Sequence, residues 1–228
     1  MNKVLCVIPA RAKSKGLPNK NIKLLLGKPL VQHTIDLALK CEFFDKIVVT
    51  TDIDELVTSV INQNRANHKL YVVRRSVELA GDSVPLAPVL LDAIGKAESQ
   101  FDTTYSHIVS LQPTSCLLSY YHIGEAYQRY VKTRADSLIS VREELHSIWY
   151  INNGIVEPVS YQKVCRQEVH PYYVGNGAIF ITKREILMGG DRLGGKIELY
   201  PMDWVSSFDI HTQEDFEIGE WLKSMRCG

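Results

Sequence analysis

Three short stretches of the chain carry side chains able to do chemistry. The first is Ala10–Asn21, ARAKSKGLPNKN, which packs Arg11, Lys13, Lys15 and Lys20 around Gly16, Pro18, Asn19 and Asn21. It follows directly on Val4–Ile8, an apolar run of strand length. A basic loop with Gly and Pro at the end of a buried strand suits an anion. Backbone N–H groups can converge on phosphate oxygens there while Arg and Lys neutralise them. The asparagines add amides able to read a base or ribose edge. This spacing points to a polyphosphate site. It matches neither G-x-x-x-x-G-K-[ST] nor G-x-G-x-x-G, which disfavours a P-loop and a Rossmann dinucleotide site.

The second stretch is Leu111–Ser115, LQPTS, where a strand ends in polar side chains that could cap a helix as readily as touch a ligand. The third is Ser207–Thr212, SFDIHT, with Asp215 beyond it. Asp209 and His211 stand two apart and share one side of an extended chain. A carboxylate facing a polyphosphate suits Mg²⁺, which binds through one or two carboxylates plus substrate phosphates. Thr212 or Asp215 could equally cap a following helix. The remaining histidines show no metal-binding spacing, and the absence of G-x-S-x-G argues against a serine hydrolase.

The elements that must position these stretches follow from apolar spacing. Strands are expected at Val4–Ile8, Lys46–Thr51, Leu70–Val73, His107–Leu111, Ser137–Val141 and Gly177–Thr182. Helices are expected at Pro29–Lys40, Asp54–Asn64, Val84–Glu98, Tyr120–Lys132 and Gln213–Lys223. This alternation implies a doubly wound α/β fold with a mainly parallel sheet. After Arg142 the rhythm changes. Ser147–Ile151, Gly154–Val156 and Lys163–Val164 read as short strands, with Asn153-Gly154 as a hairpin turn. We expect one domain over residues 1–228 with a β-rich arm at about 143–175, whose edges a partner subunit would cover.

Lys+Arg and Asp+Glu both number 26 over 228 residues, so no global field recruits nucleic acid or a membrane surface. The apolar stretch at the start is barely long enough for the core of a secretory leader, and four cationic residues follow it directly, so it reads as a strand; no stretch approaches the length of a membrane span. Five scattered cysteines without C-x-x-C suggest reduced thiols in a cytoplasmic protein.

The ordered motifs carry a resemblance. Pro9–Asn21, Phe44–Asp52, Arg75 with Glu78–Asp82, Leu111–Ser115, Asn176–Phe180 and Phe208–Ile210 resemble the cytidylyltransferases that activate nine-carbon α-keto sugar acids, the CMP-N-acylneuraminate synthetase family. The resemblance implies a GT-A-like nucleotide-binding sheet and a homodimer whose arm reaches the neighbouring site. It also implies CTP and a sugar acid as substrates and Mg²⁺ as cofactor. Carried over by position, Arg11, Lys20 and Asp209 would be catalytic, with the triphosphate on Arg11 and Lys20. Ala10, Asn21, Arg75 and Asp82 would complete the nucleotide site. Gln112, Arg166 and Asn176 would bind the acceptor, Arg166 serving the neighbouring subunit's sugar. Asp209, with His211, would hold the metal.

Four places depart from the family pattern: His211 stands where a second acidic residue is usual, Cys116 and Leu118 replace a Pro and an Arg, Val174-Gly175 replace Arg-Pro, and His146 replaces a Lys. The alternatives are an eight-carbon keto acid or a sugar 1-phosphate as acceptor, or a nucleotide-binding regulator without catalysis.

Overall fold

Val4–Ala10 (β1) is buried along its whole length, as a strand covered on both faces must be. The structure, a computed structural model, describes residues 3–12, 16–64, 67–81, 83–160 and 168–227. After β1, a short 3₁₀ turn at Lys20–Ile22 leads into the tiny hairpin β2 (Leu24–Leu25) and β3 (Lys28–Pro29). Then come α1 (Leu30–Leu39), β4 (Lys46–Thr51), α2 (Asp54–Asn64), β5 (Leu70–Arg74), α3 (Leu86–Phe101), β6 (His107–Leu111), α4 (Tyr120–Thr133) and β7 (Ser137–Glu144). The chain continues through β8 (Ile148–Asn152), β9 (Ile155–Ser160), β10 (Tyr172–Lys183), α5 (Arg184–Met188), β11 (Ile197–Met202) and α6 (Gln213–Cys227).

Seven strands form the main sheet in the order β11-β7-β10-β6-β1-β4-β5. All neighbours pair in parallel except β10, which runs against both β6 and β7. Alternation along β1 decides which core each residue enters. Val4, Cys6, Ile8 and Ala10 meet α1, α2 and α4 through residues such as Val31, Leu56 and Ile123. Leu5 and Val7 meet α3 and α5 through Leu90, Ile94 and Leu187. A smaller third cluster gathers Leu17, Leu25, Leu30, Cys116, Leu117, Ile210 and Phe216 beneath the basic loop.

The mainly parallel, doubly wound sheet agrees with the expectation, with small shifts at the boundaries. Pro29 is extended (φ −50°, ψ 137°), so α1 begins one residue later than expected. Pro85 likewise delays α3 to Leu86, because a proline ring fixes its own φ and disfavours helix in the residue before it. The α4 cap is Ser119, whose hydroxyl accepts from the His122 backbone N–H, while His122 Nδ1 accepts from the Ser119 N–H. Ser115 plays no part in that cap.

The hairpin expected at Asn153-Gly154 is present. Both residues have positive φ (48° and 80°), as a two-residue turn between twisted strands requires, and β8 and β9 form a separate two-stranded sheet. The strand expected at Lys163–Val164 lies outside the described residues. β11 was not anticipated.

Candidate active site

In an open α/β sheet the crevice lies beyond the strand ends where the winding direction reverses. Here that point falls between β1 and β6. Chains leaving β1 go to β4 on one side, and the order resumes with β6 on the other. The residues immediately after these strands, Arg11 and Gln112, therefore open onto a common space.

The basic loop is held at both ends. Asp52, just after β4, accepts from the Ala12 backbone N–H at 2.8 Å. The Asn21 side-chain amide donates to the Arg11 carbonyl at 2.8 Å. Asn19 takes a left-handed conformation (φ 55°) that starts the 3₁₀ turn. Leu17 is buried against Ile210 and Phe216. Gly16 lies so close to the 209–211 segment that a Cβ there would stand 2.3 Å from the His211 carbonyl oxygen. Lys13 and Lys15 lie outside the described residues.

Three cations converge from different elements. Lys20 is buried and its Nζ donates to the Ile210 carbonyl at 2.6 Å. Burial lowers its pKa, the nearby Asp209 and Asp215 oppose that shift, and Arg11 adds to it. Arg75, at the end of β5, is also buried. Its Nη2 donates to the Thr50 carbonyl at 3.1 Å, and its Nε is buried with no hydrogen-bond partner among the described residues. Burial again lowers its pKa, against the pull of Asp52. Arg11 reaches towards the Gly81 carbonyl at 3.4 Å.

Together with Asn21, Gln112 and Thr114 these cations line a cavity of about 420 Å³ that also has apolar lining from Leu79, Val84, Leu86 and Val89. The lining therefore suits a ligand that combines several negative charges with a ring. Pockets of a few hundred Å³ with few polar groups are usual for small ligands.

Asp209 is paired with His211, which lines this cavity. Its Oδ2 is 2.9 Å from His211 Nε2, while its Oδ1 is buried and has no hydrogen-bond partner among the described residues. The segment is fixed by the Ile210 N–H, which donates to the Thr114 carbonyl at 3.1 Å. Asp215 accepts from the His211 and Thr212 N–H groups, and Thr212 Oγ1 accepts from the Asp215 N–H, so these two residues cap α6. Asp209 is thus left out of the cap.

An orphaned carboxylate oxygen beside a phosphate-sized cavity fits a divalent cation that takes its other ligands from substrate and water. Among the described residues no three or more His, Cys, Asp or Glu side chains cluster as a self-contained metal cage.

A second cavity of about 400 Å³ lies on the other side of His211, lined by Arg142, Val174, Gly175, Asn176, Trp204, Ser207, Phe208, Asp209 and His211. Asn176 lines it, but its amide is engaged internally. Its Oδ1 accepts from Ser140 Oγ and the Ala178 N–H, and its Nδ2 donates to Ser207 Oγ at 2.9 Å.

Thus Arg11, Lys20, Asn21, Arg75, Gln112 and His211 come together in the first cavity, with Asp209 and Asn176 in the second. Ala10 is the last residue of β1 and packs into the core below. Asp82 and Arg166 lie outside the described residues. Sequence reasoning missed Asp52 as the anchor of the loop, although it ends a recognisable strand. It also missed Arg142 and Trp204, which stand in no local motif.

A cytidylyltransferase family model matches residues 5–227. A CMP-N,N'-diacetyllegionaminic acid synthase of Campylobacter jejuni is 32% identical over 99% of this chain and 97% of its own length. An N-acylneuraminate cytidylyltransferase of Streptococcus agalactiae is 34% identical over 94% of this chain, which spans 52% of that longer protein. Among solved structures, CMP:2-keto-3-deoxy-manno-octonic acid synthetase complexed with CTP superposes with a TM-score of 0.71. It is 16% identical, and the match covers 99% of this chain and 100% of that one; at that identity the likeness shows the fold.

Proposed function

The chain belongs to the cytidylyltransferase family, and we propose that it transfers CMP from CTP to the anomeric hydroxyl of a nine-carbon, sialic-acid-like sugar acid, releasing pyrophosphate. The observation that carries this is the pairing of the two cavities. One is lined by three cations and by apolar side chains, and it shares His211 with its neighbour, which Asp209 also lines. The relatives that match at 32–34% identity are named for legionaminic and N-acylneuraminic acids, which supports a nonulosonic acid as acceptor.

In this reading the triphosphate lies against Arg11 and Lys20. Arg11 forks onto two oxygens, while Lys20 acts as a point charge tethered to the Ile210 carbonyl. Arg75 and Asn21 hold the nucleoside side, and the apolar wall excludes water from the ring. The acceptor lies in the second cavity, extends to Gln112 in the first, and presents its hydroxyl to the α-phosphorus in line with the bridging oxygen of the departing pyrophosphate. A new C–O–P linkage forms, the bond from the α-phosphorus to that oxygen breaks with its electron pair leaving on pyrophosphate, and the hydroxyl proton passes to solvent water. Catalysis of this kind is mostly positioning and electrostatic stabilisation. Asp209 Oδ1 would hold Mg²⁺, which when bound supplies positive charge to the phosphate oxygens.

The protein is proposed to work as a homodimer. The β8–β9 hairpin exposes Ile151 (74%), Ile155 (62%), Val156 (60%) and Trp149 (50%), a run of apolar surface too large to leave to solvent without a partner. A second copy is the cover that supports the arm's expected reach, with Arg166 serving the neighbouring acceptor. No helix among the described residues is long and apolar enough to cross a membrane. Cys6, Cys41 and Cys116 are buried free thiols, which supports a reducing, cytoplasmic setting.

The test is pyrophosphate release with CTP, Mg²⁺ and a panel of nonulosonic acids, with eight-carbon keto acids, sugar 1-phosphates and other nucleoside triphosphates alongside. Release with CTP and a nonulosonic acid is expected. CTP binding without release from any acceptor would favour a regulator instead.

A further inference from the structure

In the second cavity, Arg142 is the one permanently charged cation among the described lining residues. It stands on β7 directly across from Val174 of β10 and is flanked on the other side by Met202 of β11. Its backbone is therefore fixed by a strand on each side, and its side chain shares the cavity with Asp209 and His211. Among the described residues its ion pair is a loose one, 3.5 Å from Glu144 Oε2, where a formed charge-assisted bond measures about 2.7–2.9 Å. Glu144 is drawn the other way, since its Oε1 takes both the backbone N–H and the ring Nδ1 of His146. The guanidinium thus keeps donors to offer.

We propose that Arg142 receives the carboxylate of the sugar acid within its own subunit and is the residue that selects acids over neutral sugars. This rests on the cytidylyl-transfer reading above and adds the group that orients its acceptor. In an α-keto sugar acid closed to its ring form, the carboxylate and the reacting hydroxyl are borne by the same carbon. A bidentate grip on the carboxylate therefore fixes where the hydroxyl points. With Arg142 in the second cavity and the cationic loop in the first, that hydroxyl is directed across the shared wall at Asp209 and His211. The indole of Trp204 borders the same cavity and offers a flat surface to the sugar ring.

The experiment compares the full-length protein with Arg142→Ala and Arg142→Lys, using the nonulosonic acid identified by the panel and its C1 carboxamide. Arg142→Ala should raise KM for the acid on the order of 10²-fold, as expected when one partner of a desolvated charge pair is truncated. KM for CTP and CTP binding should not change, which also shows that the variant folds. Arg142→Lys should recover part of the loss, because an ammonium keeps the charge but not the fork. The carboxamide should be a poor acceptor for the wild type and no worse for Arg142→Ala.

An unchanged acceptor KM in Arg142→Ala, or an equal carboxamide penalty in both proteins, overturns the assignment and leaves the carboxylate to another cation such as Arg166. A wild type that releases no pyrophosphate with any acid defeats the underlying reading, and the assignment with it.

Discussion

The two cavities share His211 but are assembled in different ways. The first is built from segments that immediately follow parallel strands β1, β4, β5 and β6, and its loop is pinned by main-chain contacts to Asp52, Asn21 and the His211 carbonyl. The second is built from strands brought together across the sheet, β7 beside the reversed β10, and from the segment after β11. One is lined by three cations. The other carries a single guanidinium among its described lining residues. The contrast teaches that a nucleotide common to a family can be held by a local loop, whereas a particular acceptor is read by side chains that only the fold makes neighbours.

Three substitutions would break or sharpen that contrast. The largest effect is expected at the shared wall. Asp209→Asn should cut pyrophosphate release by about 10²–10³-fold, the usual loss when a preorganised charge at a reacting centre is removed. Its melting temperature should hold or rise, because the buried Oδ1 has no hydrogen-bond partner among the described residues. A large drop in melting temperature would mean that Asp209 is structural.

A smaller loss is expected on the nucleotide side. In Gly16→Ala the new methyl would meet the His211 carbonyl, so the loop must shift. Misfitting one methyl into packed surroundings costs about 1–3 kcal/mol, and kcat/KM for CTP should fall by on the order of 10-fold, with little change in KM for the acceptor. Equal damage to both substrates would show that the cavities are not separately built.

The smallest effect is expected at the hairpin. Ile151→Lys with Val156→Lys should shift sedimentation towards the monomer, lower turnover a few-fold and leave CTP affinity intact. A protein already monomeric before substitution would remove the dimer from the account.

Much of the first region was legible in the sequence because its chemistry is contiguous. Arg11, Lys20 and Asn21 lie within one turn of chain, and the alternation of apolar runs placed that turn at a strand end. Asp209 and His211 were legible as a pair, and the assignment of Thr212 and Asp215 to the helix cap is what separates them from Asp209.

The second region was not legible in the same way. Arg142 meets Val174 through strand register over thirty residues of chain, and β11 has mixed polarity, so local periodicity does not mark it. Nor does sequence alone show that Asn176, an inviting amide, is already engaged by Ser140, Ser207 and Ala178.

The reversal of β10 has a mechanical meaning. Because it enters the sheet from the reactive rim and runs away from it, the chain arriving from the hairpin reaches the acceptor cavity before it reaches the core. Tyr172 and Tyr173, where that strand begins, are four and three residues from Asn176. Two exposed aromatic side chains at the entry of β10 thus stand a few residues of continuous strand from the wall of the second cavity, so a molecule docking on them would bear on that wall directly.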